Sequence, residues 1–246
     1  MSFWSNKRIV ITGASRGLGL AFARALAGRG ASVIATARNP SSAHALSQLA
    51  EGFDNLRVEP LDTTEPDSAR VLSAQLGSVD VLVNNAGISS RNHPFDPITE
   101  SSSDDLMNVL RNNVAGTIDT TNAFLPALRA GDTRMVVMLS SDLGSIEQTL
   151  TAQSEKVQAG GVSSYRMSKA ALNMAARTFA AELADERFTV VALSPGWVAT
   201  DMGSAGDRVP PLSPDDAVAG CIAVIESLTP ADSGRFLRYD GTALPW

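Results

Sequence analysis

The sequence predicts a single doubly wound α/β domain over residues 1–246, with a parallel sheet of about seven strands and helices on both faces. Three observations carry this expectation. Short β-branched apolar runs alternate with stretches of helical character, the order that builds a parallel sheet from strand–helix–strand units. The runs are continuously apolar rather than alternating, as strands covered on both faces must be. A glycine-rich turn follows the first run directly, where a doubly wound sheet places its nucleotide-binding turn.

Taken in order, Arg8–Thr12 is the first strand, and Leu20–Gly30 an Ala/Leu-rich helix that stops at glycine. Ala31–Ala37 is the second strand, Pro40–Gly52 a helix, Leu56–Leu61 the third strand and Pro66–Leu76 a helix. Val79–Val83 is the fourth strand, and Asp104–Leu128 reads as one long helix ending near Pro126. Arg134–Leu139 is the fifth strand, Ser164–Leu183 a helix, Thr189–Leu193 the sixth strand, Asp215–Leu228 a helix and Gly234–Arg238 a last short strand. No repeat, low-complexity tract or linker divides the chain.

Composition narrows the function. The formal net charge of −6 disfavours nucleic acid or an anionic membrane surface as the main partner. No apolar run is long enough to span a bilayer, and the start, Met1-Ser2-Phe3-Trp4, has no signal-peptide core, so a cytoplasmic protein is expected. The one cysteine, Cys221, sits in the apolar run Cys221–Ile225 and reads as a buried structural thiol. His44 and His93 lack metal-ligand spacing with any cysteine or acidic cluster, so both are expected at the surface and no metal site is predicted.

Gly13, Gly17 and Gly19 lie between strand and helix, where the backbone turns tightly and a phosphate can rest on the helix N-terminus. The spacing is Gly-x-x-x-Gly-x-Gly, and its position after the first strand favours a dinucleotide site over a merely structural turn. Enzymes of this architecture that bind NAD use an acidic residue after the second strand to hold the ribose. Here that region reads Thr36-Ala37-Arg38-Asn39. Arg38, with Arg16 in the glycine turn, suits a 2′-phosphate, since guanidinium forks match phosphate oxygens. NADP(H) is therefore expected over NAD(H).

Tyr165 and Lys169 are four residues apart at the head of an Ala-rich helix, so phenol and ammonium share a face. A nearby ammonium favours phenolate and makes the pair an acid–base candidate. The spacing alone is common in core-packed helices. What raises it is Asn84-Asn85-Ala86-Gly87 at the end of the fourth strand, with which the sequence resembles the short-chain dehydrogenase/reductase family, a Rossmann-type fold. Thr12-Gly13-Ala14-Ser15-Arg16-Gly17-Leu18-Gly19 is similar to the family's cofactor turn, and Asp62 to its adenine contact. Asn113, Ser141, Tyr165 and Lys169 match its catalytic tetrad, and Pro195-Gly196-Trp197-Val198-Ala199-Thr200 its nicotinamide-holding segment. Within the family, the Tyr-Arg-Met-Ser-Lys motif and the ending Gly234–Trp246 are similar to the C-factor and Sniffer-like carbonyl reductases.

The resemblance implies cofactor contacts from Gly13, Ser15, Arg16, Gly17, Leu18, Gly19, Arg38, Asp62, Asn85, Ala86, Gly87, Tyr165, Lys169, Pro195, Gly196, Val198 and Thr200. It implies that Tyr165 exchanges a proton with the substrate oxygen, that Ser141 hydrogen-bonds the same oxygen, and that Lys169 lowers the Tyr165 pKa and holds the ribose. Asn113 would position a water that resupplies protons. The substrate is expected to be a small carbonyl or alcohol, in a site formed by loops after residues 87, 141 and 196 and by the 201–214 segment. That segment is short, which suggests an accessible pocket. Trp197, Met202 and Trp246 either line it or pack elsewhere.

Asp104 and Asp105 are expected at a helix N-terminus, and Ser163 and Ser164 as caps of the next helix or as pocket lining. The family usually forms homodimers or homotetramers, and the apolar face around Ala170–Phe179 would serve either an interface or the monomer core. The leading expectation is an NADPH-dependent carbonyl reductase. An NAD-linked alcohol dehydrogenase and a non-enzymatic NADP(H)-binding sensor on the same fold are the competing readings.

Overall fold

The computed structural model describes residues 3–90, 98–150, 162–205 and 209–246. Its strands are β1 (Arg8–Ile11), β2 (Ser32–Ala37), β3 (Leu56–Pro60), β4 (Val81–Asn84), β5 (Met135–Leu139), β6 (Thr189–Ser194) and β7 (Phe236–Arg238). They form a 7-stranded sheet in the order β3-β2-β1-β4-β5-β6-β7, parallel throughout. The order reverses between β1 and β4, where Ile9 pairs with Val81 and Ile11 with Val83. Ligands of open α/β sheets bind outside the carboxyl ends of the strands at such a reversal.

Helices α1 (Gly17–Ala27), α2 (His44–Glu51) and α7 (Pro214–Ser227) cover one face of the sheet, and α3 (Pro66–Leu76), α5 (Gly116–Arg129) and α6 (Ser163–Glu182) the other. Alternate residues of each strand feed the two cores. Ile9 and Ile11 join Phe22, Leu26 and Cys221 on one side, while Val10 joins Phe124, Leu128 and Leu172 on the other. Cys221 is fully buried, as its apolar neighbours predicted, and burial pushes its thiol up to about 12. His44 is exposed, whereas position 93 lies outside the described residues.

The expected long helix over Asp104–Leu128 is three pieces. Helix α4 (Ser103–Leu110) opens with Ser102 accepting from the Asp104 N–H, with Asp104 and Asp105 in its first turn. A π-helical turn, Arg111–Ala115, then widens the coil before α5 begins at Gly116. Pro126 does not end α5, because it lies near the C-terminus on the exposed side, where the carbonyl it leaves unpaired meets water. On α6 the apolar stripe Leu172, Ala176 and Ala180 packs into the monomer core and leaves Met174 outside. Among the described residues no helix is long and apolar enough to cross a membrane.

Candidate active site

Four strand ends deliver the site to one edge of the sheet: β1 runs into Thr12 and Gly13, β4 into Asn85–Gly87, β5 into Ser140 and Ser141, and β6 into Pro195 and Gly196. Beneath this edge runs a cleft of about 270 Å³. Gly13, Ser15, Arg16, Gly17 and Leu18 form one wall, facing Asn85, Ala86 and Gly87. Helix α1 begins at Gly17 rather than Leu20, so the glycine turn is itself the first helical turn and its free N–H groups border the cleft. Gly13 has φ 65°, and a Cβ there would stand 2.9 Å from Ala86 Cα, so a side chain is excluded both by conformation and by space. Gly19 sits behind the wall, where a Cβ would meet Asn85 Nδ2 at 2.5 Å. Thr12 Oγ1 accepts from the N–H groups of Asn85 and Ala86 at 3.0 and 2.9 Å, locking the two turns together.

Arg16 and Arg38 both line the cleft. Arg16 Nη1 also donates to Asp201 Oδ2 at 2.5 Å, a partner the sequence did not indicate, because the two residues meet only across the sheet edge. Asp62 Oδ1 accepts from the N–H and hydroxyl of Thr64 at 2.9 and 2.7 Å, and the neighbouring Leu61 and Thr63 line the cleft. An aspartate two residues before a threonine closes a local turn in this way.

Pro195 and Thr200 complete the cleft, while Gly196 and Val198 line an adjoining cavity of about 460 Å³. Ser141, Trp197, Met202 and Ile88 face the same cavity. Beside it, Ala199 N–H donates to Leu212 O at 2.8 Å. Trp246 does not reach this site, as it stacks on Phe236 with ring centroids 5.4 Å apart. Ser163 and Ser164 line a smaller cavity of about 160 Å³ beside Tyr165 and do not cap α6, whose N-cap is Val162 at φ 62°.

Tyr165 and Lys169 lie on one face of α6, with Lys169 Nζ 5.4 Å from the Tyr165 ring centroid and donating to Leu139 O at 2.7 Å. Ser141 Oγ accepts from Leu143 N–H at 3.2 Å, and its hydroxyl acts on the Tyr165 phenol. Tyr165 lines both the cleft and the larger cavity, which places it between them. Burial pushes the phenol up to about 12, against the pull of the Ser141 hydrogen bond and with a further push from the Asp142 charge. Burial likewise lowers Lys169 to about 8. Burial is the largest influence on both groups, since loss of hydration disfavours each charged form.

Asn113 sits in the π-turn and is fully buried. Its Oδ1 accepts from Ile88 N–H at 2.8 Å, while Nδ2 donates to Ile88 O at 2.8 Å and Ser168 Oγ at 3.0 Å. A Cβ placed on Gly87 would lie 3.4 Å from Asn113 Oδ1 and 3.7 Å from Lys169 Nζ, which brings these two predicted residues to the same loop. Ser168 was missed in the sequence, although its place one residue before Lys169 on the same helix was the available signal.

The sequence matches the short chain dehydrogenase family model over residues 7–208. It is 42% identical over 170 residues to the C-signal protein of Myxococcus xanthus, a stretch covering 69% of this chain and 94% of that one. The fold superposes on NADPH-bound carbonyl reductase from chicken fatty liver with a TM-score of 0.87 at 33% identity, covering 98% of this chain and 100% of the other. For carbonyl reductase Sniffer of D. melanogaster the TM-score is 0.85 at 30% identity, with the same coverage. The chain belongs to the short-chain dehydrogenase/reductase family. It is an oxidoreductase with carbonyl reductases among its structural neighbours.

Proposed function

We propose that this enzyme reduces a small carbonyl compound (an aldehyde, ketone or quinone) to the alcohol with NADPH, and that Tyr165 is the general acid. The observation that carries the reading is the placement of Tyr165, which lines both the cleft and the larger cavity that Ser141 also lines. The cleft suits a phosphorylated dinucleotide: Gly13 admits no side chain, the first turn of α1 offers free N–H groups, and Arg16 and Arg38 supply positive charge. When bound, NADPH supplies the hydride.

The protein's part is proton delivery and charge stabilisation. With its phenol pushed up to about 12, Tyr165 is protonated at neutral pH, the state a proton donor in the reductive direction requires. As negative charge builds on the carbonyl oxygen, Tyr165 gives up its proton and Ser141 donates a hydrogen bond to the same atom. Lys169 lines the cleft beside Tyr165 and would hold a ribose hydroxyl of the bound dinucleotide. Asn113, with its side chain engaged by Ile88 and Ser168, holds the loop after β4 against α6. The C-signal relative and the NADPH-bound and Sniffer reductases support this reading by likeness.

The test is NADPH oxidation against a panel of aldehydes, ketones, diketones and quinones, with Tyr165→Phe as control. Turnover that vanishes in the variant, with NADPH affinity retained, is the expected result. Substantial residual turnover would remove Tyr165 from the role of acid.

A further inference from the structure

We infer that Asn173 is a positioning residue for Ser141, a single buried amide that pins both ends of the segment carrying the serine hydroxyl. The inference rests on the reading of Ser141 as a participant in the reaction.

Asn173 lies on α6 four residues beyond Lys169 and eight beyond Tyr165, so the three side chains share a helix face. It is 3% exposed, and a buried amide must find partners for both its oxygen and its nitrogen. Its Oδ1 accepts from Ser140 Oγ at 2.5 Å, and its Nδ2 donates to Gly144 O at 3.2 Å. Between those anchors stand Ser141, Asp142 and Leu143, all three on the wall of the larger cavity. Gly144 makes the arrangement possible. A Cβ there would stand 2.9 Å from Lys169 Cβ and 3.1 Å from Asn173 Nδ2, so the absence of a side chain lets the backbone descend onto α6.

The segment is also tied to β6, through Ser140 N–H to Leu193 O at 2.8 Å and Asp142 N–H to Ser194 Oγ at 3.1 Å. Those bonds fix it relative to the sheet. The bonds from Asn173, with that of Lys169 to Leu139 O, fix it relative to the helix that carries Tyr165. The spacing of the Ser141 and Tyr165 hydroxyls is therefore set through Asn173. Neither Asp, which lacks the donor, nor Leu, which lacks both groups, can make the two bonds. Two groups that must meet one substrate oxygen tolerate little displacement, and an error of about 1 Å can cost roughly 100-fold in rate.

The experiment is a double-mutant cycle on NADPH-dependent reduction of one carbonyl substrate accepted by the wild-type enzyme. It compares kcat/KM for the wild type, Asn173→Ala, Ser141→Ala and the double variant, with NADPH Kd measured on each. Asn173→Ala is expected to lose about 30- to 100-fold in the wild-type background and less than about 3-fold once Ser141 is gone, with NADPH Kd little moved. An equal loss in both backgrounds would assign Asn173 to general structure and overturn the inference, as would no loss in the wild-type background. Should Asn173→Ala not fold, Ser140→Ala removes one of the two bonds and runs the same cycle, with about a 10-fold loss expected only where Ser141 is present. A Ser141→Ala enzyme as active as wild type would overturn the reading of the site together with this inference. The other negative results overturn the inference alone.

Discussion

Replacing Lys169 by methionine tests the electrostatics of the site through stability rather than turnover. Lys169 is 4% exposed, and burial lowers its pKa from 10.5 to about 8. Between those two values the unfolded chain binds a proton that the folded chain has released, so stability rises with pH across that window. Below pH 8 the cost of burying the ammonium is present in full. At about 1.4 kcal/mol per pH unit it is on the order of 3 kcal/mol. The thioether of the Lys169→Met variant would carry no such cost, but it would leave Leu139 O without the 2.7 Å bond from Nζ, a loss of about 1–3 kcal/mol. The absolute difference at pH 7 is therefore small, and the trend decides. Guanidinium unfolding of both proteins at pH 7, 8, 9 and 10 should show the wild type gaining about 2–3 kcal/mol relative to Lys169→Met. Tyr165 does not interfere, since its phenol, raised to about 12, affects stability only above pH 10. Stability curves that stay parallel over this range would refute a buried lysine with a depressed pKa.

Arg38→Ala should lower kcat/KM for NADPH by at least about 10-fold and leave that for NADH nearly unchanged, a charge-assisted contact being worth about 1.5–3 kcal/mol. An equal effect on both cofactors, read by nicotinamide absorbance, would remove Arg38 from phosphate recognition. Gly13→Ala meets both a φ of 65° and the Ala86 backbone, so calorimetry should find nucleotide binding weakened by about 100-fold or lost, where wild-type affinity would contradict the tight packing of the two turns. Phe124→Ala, at a fully buried core position, should destabilise by about 3–5 kcal/mol in denaturant unfolding.

The parts of this structure written in local pattern were the legible ones. Strands such as Val136 and Val137 in β5 announce themselves by continuous apolarity, and Tyr165 and Lys169 by helical spacing. What escaped depends on contacts between distant segments. The π-turn at Asn113 interrupts a stretch whose periodicity suits an unbroken helix. Nearby, Gly116 packs so closely that a Cβ would stand 2.6 Å from Thr63 O, a contact made from another strand's loop. Asn173 gave no signal because its partners Ser140 and Gly144 reach it only after β5 is in the sheet. The turn that Asp62 closes with Thr64 was not read from the sequence, because a carboxylate has a local use in a turn as well as a distant one in a ligand site. The net direction of the Tyr165 shift was not legible for a related reason. Spacing shows a charged neighbour, whereas the exclusion of water emerges only from the assembled fold.

The pairing of β1 with β4 has a consequence for how the chain matures. Ile9 waits for Val81, and the turn at Gly13 leans on Ala86, so the nucleotide cleft has no wall until two widely separated stretches have docked. Loop closure of that length makes such contacts slow to form. A ligand that recognises the finished cleft has nothing to hold on a half-built chain, and so acts as a selective stabiliser of completed molecules. At a concentration 100 times its Kd it would deepen the folded basin by about 2.7 kcal/mol.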